Sequence, residues 1–227
     1  MSELASPIGR ATHLIFDCDG VLVDSEAIAV RVEEEYLNGA GFALTADEIA
    51  ERFVGLSYAT MAAQLETQFG RPLPEGLMAA VQQETLSRFP AELRAVPGIE
   101  SVLAESSLPR CVASSSNLDR IRLSLELTGL TEVFEHDLIF SAQMVENGKP
   151  APDLFLFAAN QMQADPESCV VIEDSPHGVT AGVAAGMTVI GLTAGGHASA
   201  SLAQRLLDAG AIAIASTTNE LAQLLAG

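Results

Sequence analysis

Six short apolar runs, each about one strand long, are spread along this chain, and helix-length segments separate the later ones. The runs are His13–Phe16, Arg110–Ala113, Leu138–Phe140, Cys169–Ile172, Thr188–Leu192 and Ala211–Ala215. Between them lie helical patterns at Leu118–Leu127, Asp153–Met162 and Gly178–Ala185. A strand buried on both faces reads as an unbroken apolar run, and parallel neighbours need a crossover long enough for a helix. The alternation therefore predicts an α/β fold built on a parallel sheet covered on both faces.

One stretch breaks the rhythm. From Ser25 to about Leu93 there is no convincing strand, only helical spacing: Ile49 with Phe53, Met61 with Leu65 and Phe69, then Leu77, Met78 and Val81. Gly39, Gly41, Gly55, Gly70 and Pro72-Leu73-Pro74 punctuate it. The reading is a core of residues 1–24 and 94–227, with an all-helical insert at 25–93 after the first strand.

Composition narrows the partners. The 227 residues carry a formal net charge of −19, which argues against nucleic acid or an anionic membrane surface, since phosphates select basic surfaces. No apolar stretch approaches the roughly 18 residues that span a bilayer. Met1–Arg10 lacks the basic start and apolar segment of a signal peptide. Three cysteines, Cys18, Cys111 and Cys169, fall in or beside apolar runs without metal-ligand spacing and read as buried small hydrophobes. A cytoplasmic location is the expectation. The pattern leaves oligomeric state open, a monomer included.

The chemistry sits where the strands end. The first closes in Asp17-Cys18-Asp19-Gly20. Side chains alternate along a strand, so Asp17 and Asp19 can converge, and a divalent cation or a shared proton would relieve their repulsion. Gly20 lets the chain turn at once. The second run ends in Ser114-Ser115-Ser116-Asn117, the fourth in Glu173-Asp174-Ser175, and the chain's sole lysine, Lys149, stands in Gly148-Lys149-Pro150. Ligands of open α/β sheets bind outside the carboxyl ends of the strands. Four carboxylates gathered there fit Mg²⁺, a cation that takes oxygen ligands. An EF-hand is excluded, because the glycine it requires at loop position six is Leu22 when counted from Asp17. Taken singly, each element has a plain alternative: Ser114–Asn117 as a helix cap, Glu173-Asp174 as a solvated turn, Lys149 as a surface residue.

In order, Asp-x-Asp-Gly-x-Leu-x-Asp-Ser, Ser-Ser-Ser-Asn, Gly-Lys-Pro-x-Pro-Asp and Glu-Asp-Ser-x-x-Gly resemble the haloacid dehalogenase superfamily, in its β-phosphoglucomutase-like branch. The resemblance spans nearly the whole chain. It implies a Rossmann-like core with a small helical cap, and a Mg²⁺-dependent phosphatase acting on a small phosphorylated metabolite, a sugar or sugar-acid phosphate. Asp17 would be the nucleophile and Asp19 the general acid and base. Ser114, the Ser115 amide and Lys149 would hold the phosphoryl oxygens, with Gly20, Ser116 and Asn117 in the same phosphate-binding set. Asp17, Asp19 through its carbonyl, Asp174 and Glu173 would ligate the metal. Glu26, Arg52, Ser57 and Tyr58, around the Gly55 loop, would read the leaving group. The mutase of this branch has basic groups where this chain has Val54, Tyr58 and Ala29, and the insert contains no lysine. Hydrolysis is therefore preferred to a phosphomutase reaction, and both to an inactive binding module.

Overall fold

The computed structural model describes residues 8–199 and 201–226. The N-terminal stretch judged above against a leader falls mostly outside them. Six strands form one parallel sheet: β1 (His13–Phe16), β2 (Arg110–Ser114), β3 (Ile139–Ser141), β4 (Cys169–Glu173), β5 (Thr188–Leu192) and β6 (Ala213–Ala215). Their spatial order is β3-β2-β1-β4-β5-β6. The chain moves outward from β1 through β2 to β3, returns to lay β4 on the other side of β1, and moves outward again. The order reverses between β1 and β4, and a crevice opens there. Each apolar run became a strand. β2 and β4 extend one residue further, into Ser114 and Glu173, while β6 begins two residues later than the pattern suggested.

Alternate residues of the strands enter separate cores, as the two-residue period requires. Leu14, Phe16, Val112, Val170 and Ile172 join one cluster, and Ile15, Cys111, Ala113, Cys169 and Val171 the other. Helices α5 (Ile99–Glu105), α6 (Leu118–Leu127), α7 (Asp153–Gln161), α8 (Pro176–Ala184), α9 (Leu202–Asp208) and α10 (Thr218–Ala226) cover the two faces. All three cysteines are free and buried. Among the described residues no helix is long and apolar enough to cross a membrane.

Between β1 and α5 the regular elements are four helices, α1 (Ser25–Gly39), α2 (Ala46–Arg52), α3 (Tyr58–Phe69) and α4 (Leu77–Glu92). Thr45 and Glu48 make a reciprocal capping box at the start of α2. These helices close over a cluster of their own that includes Leu37, Phe42, Ile49, Met61 and Leu65. The same helices also lean on the sheet's core through Ile28, Val32, Val81 and Phe89. Phe89 is fully buried at this seam, and the Arg120 guanidinium lies over its ring, 5.3 Å from the centroid. Phe89→Ala should lower the free energy of unfolding by about 3–5 kcal/mol. Urea denaturation checks this, and a loss below about 1 kcal/mol would mean that the seam carries little of the stability.

Candidate active site

The register of the sheet sets the site. Phe16 lies opposite Val112 and Ile172, so Asp17, Ser114 and Glu173 all emerge at the same edge. The Asp17 amide donates to the Ile172 carbonyl at 3.0 Å, which continues the β1–β4 pairing through the aspartate. Oxygens of Asp17, Glu173 and Asp174 lie within 4.8 Å of one another, and all three residues are buried. Lys149 enters from the connection between β3 and α7. Its ammonium donates to Asp17 Oδ1 at 2.8 Å, Glu173 Oε1 at 2.6 Å and the Ala113 carbonyl at 2.9 Å.

The electrostatics follow from burial. Desolvation, reinforced by the Glu173 and Asp174 charges, raises the Asp17 carboxyl well above the carboxylate range, and Lys149 opposes it. Burial lowers the Lys149 ammonium, but Asp17 and Glu173 outweigh it and raise the lysine. Burial also raises Asp174, against the pull of His197, whose Nε2 stands 2.9 Å from Asp174 Oδ2. His197 itself, despite burial, is pushed up to about 9 by Asp174. Glu173 is fully committed: Lys149 takes Oε1, and Oε2 accepts from the amides of Asp174 and Ser175 and from the Ser175 hydroxyl, each at 3.0 Å. Three carboxylates against Lys149 and the His197 imidazolium still leave an excess of buried negative charge, and the acidic donors are all oxygen. That set fits a divalent cation such as Mg²⁺. Gly20 is required beside it. Its φ is +78°, and a Cβ there would come within 1.8 Å of Asp174 Oδ2.

Asp19 points the other way in this structure. Its carboxylate accepts from Ser25 Oγ at 2.6 Å, Ser116 Oγ at 2.6 Å and Arg120 Nη2 at 2.8 Å. Burial would raise its pKa, but Arg120 and the hydroxyls win, and the group lies below its ordinary value. Arg120 was not among the sequence candidates. It stands in the first turn of α6, whose N-cap is Asn117, and that position was its available signal. Asn117 spends its side chain on the cap, accepting from the Arg120 amide at 2.9 Å. Ser114 Oγ accepts the Ser116 amide at 3.1 Å, and Ser115 and Ser116 line the cavity with it.

The facing wall belongs to the helical insert. Glu26, Ala29 and Glu33 share one face of α1 and line the cavity with Phe53, Val54, Gly55, Leu56 and Tyr58. Gly55 closes onto the sheet edge: a Cβ there would stand 3.2 Å from the Ser175 Cβ. Burial, helped by the Asp19 charge, pushes the Glu26 carboxyl up to about 7. Burial, with Glu26 beside it, pushes Glu33 up to about 8. Two expected readers are occupied elsewhere. Arg52 donates to Gln68 and lies over the Phe53 ring, and Ser57 caps α3 by accepting the Thr60 amide at 3.1 Å. Glu33 and His197 were not anticipated. Glu33 lies seven residues after Glu26 on the same helix face, and His197 follows the Gly195-Gly196 pair beyond β5.

A profile of haloacid dehalogenase-like hydrolases matches residues 14–192. The 6-phosphogluconate phosphatase of Escherichia coli is 30% identical over 191 residues, covering 84% of this chain and 86% of that protein. Hexitol phosphatase A of the same organism is 30% identical over 193 residues, covering 82% and 84%. A haloacid dehalogenase-like protein from Agrobacterium tumefaciens superposes with a TM-score of 0.91 at 37% identity, over 95% of this chain and 98% of the other.

Glu33 makes stability depend on pH with a definite sign. A carboxyl raised in the folded state holds its proton longer there than in the unfolded chain, so stability falls as pH rises from the ordinary carboxylate range through about 8. Glu33→Gln should remove that loss and gain roughly 1–4 kcal/mol over wild type at pH 8.5, with little gain at pH 4.5. Denaturant midpoints at the two pH values check it; equal gains at both would mean that the Glu33 carboxyl is not raised.

Proposed function

Because the chain belongs to the haloacid dehalogenase-like hydrolase family, we propose that it is a Mg²⁺-dependent phosphatase acting on a small phosphomonoester, a sugar or sugar-acid phosphate, through an aspartyl-phosphate on Asp17. The observation that carries this reading is the Lys149 bridge between Asp17 and Glu173 at the β1–β4 crevice. A buried carboxylate with an ammonium beside it, open to a cavity, is a nucleophile positioned for phosphorus. The two relatives' names differ in the leaving group, a sugar acid in one and a hexitol in the other. Both fit the general reading.

Asp17 attacks phosphorus as the ester P–O bond breaks. Asp19 gives its proton to the departing oxygen, then takes one from the water that attacks the aspartyl-phosphate and releases inorganic phosphate. Asp19 must exchange its Arg120 contact to hold that proton. Lys149 and the Ser114–Ser116 loop meet the equatorial oxygens, where charge accumulates. Asp17, Asp174 and the Asp19 carbonyl are the proposed ligands of Mg²⁺, which supplies the charge neutralisation that lets an anionic phosphate approach an anionic carboxylate. Glu173, with both oxygens engaged, serves as the anchor of Lys149 and of the turn at Asp174. A phosphomutase would need cations to grip a second phosphate, and the insert carries no lysine and lines the cavity with Val54 and Tyr58 where the mutase has basic groups.

Phosphate release from p-nitrophenyl phosphate tests the reading. It should require a divalent cation and be abolished in Asp17→Asn, with the fold intact by circular dichroism. Lys149→Ala should slow it by on the order of 10²–10³. Near wild-type turnover in Asp17→Asn would reject the nucleophile, and a change of less than severalfold in Lys149→Ala would reject the role of the bridge.

A further inference from the structure

The His197 ring is buried, and its one polar contact among the described residues is that of Nε2 with Asp174 Oδ2 at 2.9 Å. Its Nδ1 has no partner. Buried polar groups are normally satisfied, so a ring spent wholly on one carboxylate has that carboxylate as its purpose. The surrounding chain is shaped to hold it there. A Cβ on Gly195 would come within 2.8 Å of the ring's Nδ1 and Cε1, and one on Gly20 within 2.9 Å of Cε1. The Ala198 amide donates to the Gly195 carbonyl at 3.1 Å and closes a turn around His197. The Gly196 amide donates to Asp24 Oδ1 at 2.9 Å and fixes that turn against the start of α1. A side chain on either flanking glycine would push the ring off the carboxylate.

We propose that His197 is a positioning residue for Mg²⁺: it holds Asp174 by one oxygen and so fixes the direction in which the carboxylate meets the cation. The proposal rests on the reading of Asp174 as a metal ligand and extends it to a residue outside the ligand set. The two neighbouring acids of that set are held differently. Glu173 is anchored by Lys149 and by three donors of its own turn. His197 is the one side chain among the described residues that hydrogen-bonds or ion-pairs with Asp174. With the ring gone, the Asp174 carboxylate is free to turn into the space it vacates. Mg²⁺ demands near-ideal octahedral oxygen geometry, so a ligand without a fixed direction binds it poorly. The charge of the ring works the other way, since a cation beside the ligand repels the ion. Groups that orient metal ligands typically supply roughly 10- to 100-fold of the affinity, and on that scale orientation outweighs repulsion.

The probe is Mg²⁺ alone, without substrate. Its dissociation constant is taken from thermal unfolding midpoints over a Mg²⁺ series, since an ion that binds the folded protein raises the midpoint with concentration. His197→Ala should weaken Mg²⁺ by about tenfold or more. His197→Gln, which can keep an N–H against Oδ2, should recover most of the loss. Gly195→Ala leaves the histidine in place but displaces its ring, and should weaken Mg²⁺ in the same way; it also serves should His197→Ala fail to fold. Ser201→Ala loses the contact of the same connection with Glu51, leaves Asp174 untouched, and should bind Mg²⁺ as the wild type does. Unchanged or tighter binding in His197→Ala would overturn the proposal, tighter binding because the ring would then be a rival of the ion. Equal weakening in His197→Gln or in Ser201→Ala would overturn it as well, leaving the ring a packing role. A wild type that binds no Mg²⁺ would reject the metal reading, and this proposal with it. Turnover of p-nitrophenyl phosphate reports separately on the phosphatase reading.

Discussion

Lys149 is 3% exposed on its side chain and donates at once to Asp17, to Glu173 and to the Ala113 carbonyl. Much of the sheet's reactive edge depends on that one ammonium group. It ties β1, β2 and β4 together at their carboxyl ends, where three acids would otherwise repel one another out of water. Buried charges persist only when paired and hydrogen-bonded, and removal of one partner leaves the other stranded. The pairing is also incomplete. One ammonium and the His197 ring cannot balance Asp17, Glu173 and Asp174, and the remaining charge is what a divalent cation would neutralise. Burial, reinforced by the neighbouring acids, raises Asp17, and the His197 ring stands against Asp174.

The helical insert is fastened to this edge by polar contacts as well as apolar packing. The Gly196 amide donates to Asp24 Oδ1 at 2.9 Å, at the point where the chain leaves the sheet for α1. Arg205 and Ser201 of the core reach Glu51 of α2, by way of its carbonyl and its side chain. Arg120 connects the two parts most directly, with its charge on Asp19 and its plane over Phe89 of α4. Asp19, the proposed general acid, is thus held by an arginine packed against the insert. A shift of the insert would be felt at Asp19 without any change in the sheet.

The sheet was legible because its strands are buried on both faces and so appear as bare apolar runs. Edge strands β3 and β6 are the ones whose starts moved, both being only three residues long. The reactive edge could be read from strand ends alone, because Asp17, Ser114 and Glu173 each directly continue an apolar run. The facing wall was harder. Arg52, Ser57 and Tyr58 lie close together along the chain, yet only Tyr58 lines the cavity; the end of one helix and the cap of the next turn the other two aside. Sequence proximity to a loop does not give side-chain direction. Glu33 carried a signal in its spacing from Glu26 and Ala29, but a glutamate on an amphipathic helix is ordinarily solvated, and only the packing of the insert on the core buries it. Arg120 and His197 depend on contacts with residues about a hundred and about twenty positions away, which periodicity does not record.

The most direct test of a covalent step at the Lys149-held carboxylate is chemical trapping. The protein is mixed with a turning-over phosphomonoester and Mg²⁺, quenched in acid, reduced with borohydride, digested and sequenced by mass spectrometry. An acyl phosphate on aspartate is reduced to homoserine, while a free carboxylate is not. The expected result is homoserine at position 17, dependent on substrate and absent from every other aspartate. Turnover without homoserine at 17, or with the label on another residue, would contradict the assignment of Asp17 as the nucleophile.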